Sequence, residues 1–217
     1  MKHALFLALI ILSSAASGQV APGRSGTSSQ TTISGQQVWN ELATFGACYA
    51  SQQQADALKL VGTPAGTVEE AKVYKQLFTS ADQGCLGDIS SMSVPWQYVR
   101  GAVAEGFYVK RIPVPANLAV TTPMPREKVQ NFSDMAVCYV RAHADKSRAL
   151  IEGTRPGSKK EREALQAMMP DLIACTPPNP ANNPQFDPLI VRYRIAEALW
   201  RLGMVKSQSS SSGGAAK

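Results

Sequence analysis

Histidine is nearly absent from this chain: among 217 residues only His3 and His143 occur. There are four cysteines, and they form neither a C-x-x-C pair nor a cluster with histidine, so no metal site is expected. A Ser-His-Asp system would have to use His143, and no G-x-S-x-G elbow accompanies it. The stretch GTRPGSKK lacks the four-residue gap and Gly-Lys-Ser/Thr ending of a phosphate loop, and no buried strand precedes it. It reads as a turn followed by a helix cap. Aromatic residues are sparse at 7%, and basic residues do not interleave with them in a stripe, so nucleic acid is not an expected partner. No pair of carboxylates is singled out by its spacing. The sequence therefore predicts no catalytic residue, no cofactor and a non-enzymatic protein.

Long apolar runs are also missing. The one continuous run, Ala4 to Leu12, is too short to cross a bilayer, which takes roughly 20 residues. With Lys2 before it and small residues after it, the run has the layout of a secretory signal peptide. Residues 1–18 are read as that signal, with cleavage after Gly18 or Ser17. The mature chain is then expected to be periplasmic or secreted, without a transmembrane segment. Residues 19–34 and the tail 206–217 are small and polar with little to bury, and are read as flexible or disordered. The formal charge of +6 falls to 6 − 1 = +5 once Lys2 leaves with the signal. Residues 36–110 carry 5 basic and 7 acidic residues, whereas 129–206 carry 11 and 8. This modest excess is read as a solvated surface rather than an anion-binding face.

What the sequence does contain is a repeat. Cys48 and Cys85 are 37 residues apart, and so are Cys138 and Cys175; a tyrosine follows the first cysteine of each pair. KLVGTPAGTVEE resembles ALIEGTRPGSKKE, and VRGAVAEGFY resembles VRYRIAEALW. Two duplicated units are expected, 35–110 and 127–205, joined by the proline-rich linker 111–126. Each reads as three helices, so the fold class is all-α. Packing of the two units together as one six-helix domain is the expectation, because repeated units bury shared faces.

In the first helix, Val38, Leu42, Phe45 and Tyr49 recur at helical spacing after a capping box at Ser34. Capping boxes at Thr67-x-x-Glu70 and Ser158-x-x-Glu161 open the second helix of each unit. Pro95 and Pro188 mark the start of the third, and Asp187 is a good N-cap. The glycosylation pattern at Asn131 to Ser133 is placed inside a helix.

An even cysteine count in an exported chain points to disulfides, and the repeat selects Cys48–Cys85 and Cys138–Cys175. Cys138 and His143 invite comparison with a thiol and its base. Five residues along a helix, about 500° of rotation, point the two side chains well apart. Arg100 and Arg192 are the polar residues of greatest interest. On a helical projection each falls inside the apolar arc of its third helix, whereas Glu105 falls outside it. An arginine there needs a carboxylate or carbonyl partners, so the two are read as shared structural arginines or, in the alternative, as anion-binding ones.

The function expected is an interaction or structural module that binds an unknown protein. The alternative is a carrier of a lipid or other apolar ligand held between helices or units. An enzyme, or an inhibitor of one, comes third.

Overall fold

A computed structural model of the chain describes residues 35–78, 84–85, 94–176 and 187–204. All of these lie in one compact unit, Ile33–Lys217. The expected signal, N-terminal segment, Ser34 cap and C-terminal tail fall outside the described residues.

The described residues form eight α-helices: α1 Gly35–Gln52, α2 Gln54–Gly62, α3 Val68–Phe78, α4 Trp96–Val109, α5 Phe132–Ala142, α6 Ala144–Gly153, α7 Lys159–Ala174 and α8 Pro188–Arg201. A short 3-10 turn at Arg126–Lys128 precedes α5, and no strand occurs among the described residues. Eight helices replace the expected six, because each long first helix is broken by a single residue. Gln53 (φ −117°, ψ 44°) and His143 (φ −134°, ψ 47°) leave the helical region. The hydrogen-bond ladder resumes at once on both sides, with Gln53 N–H on the Tyr49 carbonyl and Ala57 N–H on the Gln53 carbonyl, each at 2.9 Å. The break turns α2 and α6 so that Ala57, Leu60 and Val61, and likewise Leu150 and Ile151, point into the core.

Local chemistry starts the other helices. Asn131 is the N-cap of α5, accepting from the Ser133 and Asp134 N–H groups. The Asn131 side chain thus sits at a helix start rather than within a helix, as the sequence had placed it. Asp187 caps α8 in the same way, with Pro188 in the first turn. Thr67 and Ser158 accept from the N–H groups of Glu70 and Glu161. The two glutamates do not complete the expected box. Their carboxylates reach one residue further back, to the N–H groups of Gly66 and Gly157.

Helix α1 packs on α4, α4 on α8, and α8 on α5. The α1–α4 contact is backbone to backbone: a Cβ on Gly106 would meet the Gly46 carbonyl, and one on Gly46 would meet the Ala102 carbonyl. Gly106→Ala is therefore expected to force the two helices apart, at a cost of about 1–3 kcal/mol in a urea titration. Across the α4–α8 contact, Gly101 makes room for the ring of Tyr193, and Phe107 stacks on Trp200 at 4.6 Å. With neighbours on both sides, every residue of α4 from Val99 to Tyr108 is buried.

Helices α4 and α8 end alike. Ile112 N–H bonds the Phe107 carbonyl and Met204 N–H the Leu199 carbonyl, each closing the helix around a left-handed residue. That residue is Gly203 (φ 64°) after α8, but Arg111 (φ 56°) after α4. A side chain at positive φ is strained, so Arg111→Gly is expected to raise stability by about 0.5–1 kcal/mol. A thermal melt would check it.

The sulfurs of Cys48 and Cys85 lie 2.06 Å apart, and those of Cys138 and Cys175 2.08 Å, both at disulfide distance. The Cα separations of 5.5 and 5.9 Å fit the spacing such bridges need. The first ties α1 to the chain beyond α3, and the second ties α5 to the end of α7.

Candidate functional site

The densest polar chemistry among the described residues is inside the fold, where α4 crosses α8. Arg100 is 1% exposed and points its guanidinium at three structures together. Its Nε and Nη2 donate to the two carboxylate oxygens of Glu197 on α8, at 3.2 and 2.7 Å. Its Nη1 and Nη2 donate to the carbonyls of Leu60, Val61 and Thr63 at the end of α2. Nη1 also reaches Glu70 in the first turn of α3, at 3.3 Å. A cation is well placed there, since the last carbonyls of a helix are unsatisfied and carry partial negative charge.

Arg192 repeats this geometry with partners exchanged. Its Nε and Nη2 donate to Glu105 on α4 at 2.9 and 2.6 Å. Its Nη groups reach Glu161 and the end of α6 through Leu150, Ile151 and Thr154. Thus Arg100 grips the glutamate of α8, and Arg192 grips the glutamate of α4. Every nitrogen of both guanidiniums has a protein acceptor.

Glu105 corrects the helical projection: it is buried rather than solvent-facing, because α8 covers that side of α4. Glu70 and Glu161 were visible in the sequence only as caps. Each uses one oxygen for a backbone N–H and the other for the arginine.

Burial drives the electrostatics. It pushes the carboxyls of Glu70 and Glu161 above the ordinary range, outweighing the pull of Arg100 or Arg192 and of the glycine N–H. Burial also pushes Glu197 upward, but Arg100, Arg194 and Arg201 together overcome it and hold that carboxyl at about 2. Arg194 donates to Glu197 at 2.9 Å, and Arg201 Nε lies 3.4 Å from it. These two arginines were missed in the sequence. Their signal was VRYRIAEALWR, where arginines stand opposite Ala102 and Val109 of the similar α4 stretch.

His143 is at the α5–α6 break, its ring tilted 33° against that of Tyr139 at 4.9 Å, with its Nε2 3.9 Å from Asp171. Cys138 is committed to Cys175, so no thiol faces the imidazole. Among the described residues no group of three or more His, Cys, Asp or Glu is placed to hold a metal ion, and no helix is long and apolar enough to cross a membrane.

Two concavities among the described residues bear on function. A groove of about 710 Å³ lies between α6 and α7; its floor includes Leu150, Ala164 and Met168, and Lys146 and Lys160 are at its edges. A smaller cavity of about 80 Å³ lies between α5 and α8. Compared with known protein families, with curated proteins and with solved structures, the chain finds no match in any of the three.

Proposed function

We propose that this is an exported, non-enzymatic interaction module, built by tandem duplication of a helical unit and bound to a protein partner. The duplication is supported by the exchange of partners at the crossing. Positions that match in the repeated sequence, Arg100 with Arg192 and Glu105 with Glu197, pair across α4 and α8 as residues do across a two-fold axis. Export is supported by the two bridged cysteine pairs, which suit an oxidising compartment.

The observation that carries the interaction reading is where the polar groups go. Arg100, Arg192 and the four buried glutamates are spent on each other and on helix ends, while the larger concavity is an open groove with an apolar floor. Its volume falls within the range of small-molecule sites, which keeps a carrier of an apolar ligand as the second reading. The test is recovery of partners by the mature protein from its native envelope or medium, beside an Ala167→Glu variant in the groove. A protein recovered by the natural chain and lost from the variant is the expected result. Copurified lipid would favour the carrier, and identical recovery by both would remove the groove from the proposal.

A further inference from the structure

The cavity between α5 and α8 has features that the crossing does not explain. Arg194 is 7% exposed and Arg201 is half-buried, and both line it. Arg201 donates from Nη2 to the Val61 carbonyl at 3.0 Å, but its buried Nε has no hydrogen-bond partner. That Nε has an ion-pair distance to Glu197 without the geometry of a hydrogen bond.

Charge is unevenly distributed as well. Around Arg192 a single cation meets two carboxylates, Glu105 and Glu161. Around Arg100 three cations, Arg100, Arg194 and Arg201, meet two carboxylates, Glu70 and Glu197. The eight charges cancel in sum, but the surplus cation lies beside the cavity. Arg194 and Arg201 are also not needed to form such a crossing, because the Arg192 side is built with Ala102 and Val109 in their places.

We propose that Arg194 and Arg201 form a binding site for a small, singly charged carboxylate. The chemistry of the walls selects this class. The planar guanidinium groups match a carboxylate, and Ser133, a residue with a hydroxyl donor, also lines the cavity. Val120, Met124 and Val137 supply an apolar wall for a short alkyl chain. Glu197 and Asp134 also face the cavity, and their charge disfavours a dianion such as phosphate. About 80 Å³ is room for several waters, enough for a two- or three-carbon acid.

The test uses the mature chain, titrated with propionate while the side-chain Nε–H resonances of arginine are followed. The Arg201 Nε–H signal is expected to shift saturably, and the melting temperature to rise with propionate. Arg201→Gln is expected to weaken binding by about tenfold or more. No shift up to about 50 mM, well beyond the millimolar scale of weak specific sites, would overturn the proposal. So would an equal response to phosphate or chloride at matched ionic strength, or undiminished binding by Arg201→Gln. Should that variant fail to fold, the natural chain's own spectrum still decides.

Discussion

Glu197→Gln is expected to destabilise the protein by about 3–5 kcal/mol, whereas Glu70→Gln should cost about 1 kcal/mol or less. Both glutamates are buried and both face Arg100. The difference lies in what else surrounds them. Glu197 balances three arginines, and a neutral amide there would leave buried cations without a counter-charge. Glu70 is one of two carboxylates on Arg100, and burial already works against its charged form. A glutamine at 70 can still accept the Gly66 N–H, the contact that starts α3. Urea unfolding of the two variants would separate these cases, and equal losses would refute the assignment. Arg100→Met should also be less harmful in the Glu197→Gln background than alone, since the pair is one interaction.

Acid should reveal the same asymmetry. Glu197 has a folded value of about 2 against an ordinary 4.5. Its contribution is therefore complete above about pH 5 and is lost as pH falls through 4.5 towards 2. At 1.36 kcal/mol per unit, the total is about 3 kcal/mol. Glu70 and Glu161 have the opposite sign: their folded values are raised, so protonation favours the folded state and part of the loss is offset. In the Glu197→Gln variant the fall in stability between about pH 5 and 3 should flatten or reverse.

Much of this arrangement was legible in the sequence, and the parts that were not have physical causes. Period and spacing located the helices, the caps at Thr67, Ser158 and Asp187, and the cysteines that lie at bonding distance. The breaks at Gln53 and His143 were invisible, because neither glycine nor proline marks them and hydrogen bonding resumes within one residue. Glu105 was misplaced because a projection assumes one wet face, and α4 has none over its central ten residues. The partners of Arg100 and Arg192 were illegible for a related reason. A sequence shows that a buried arginine needs a carboxylate, but the choice between its own segment and the other is made by the crossing of α4 and α8. The structure chooses both: Glu70 from nearby and Glu197 from far along the chain.

Removing either disulfide should have an effect as large as removing Glu197. Each bridge spans 37 residues, and in the chain-entropy argument closing such a loop is worth about 4 kcal/mol. Cys48→Ser with Cys85→Ser, or Cys138→Ser with Cys175→Ser, is thus expected to lower the melting temperature by about 8–16 °C. The two losses should be separable in kind. The Cys138–Cys175 bridge joins α5 to the C-cap residue just beyond α7, whose own N–H already donates to the Leu172 and Ile173 carbonyls. The Cys48–Cys85 bridge anchors the chain beyond α3 to α1, the helix in backbone contact with α4. Full reduction removes about 8 kcal/mol, comparable with the entire stability of an ordinary domain. Circular dichroism melts with and without dithiothreitol would measure this. A reduced chain that melts within a few degrees of the oxidised one would mean that the Arg–Glu crossing, not the bridges, holds the helices together. A reduced chain that is unfolded at 37 °C would mean that the fold depends on an oxidising compartment.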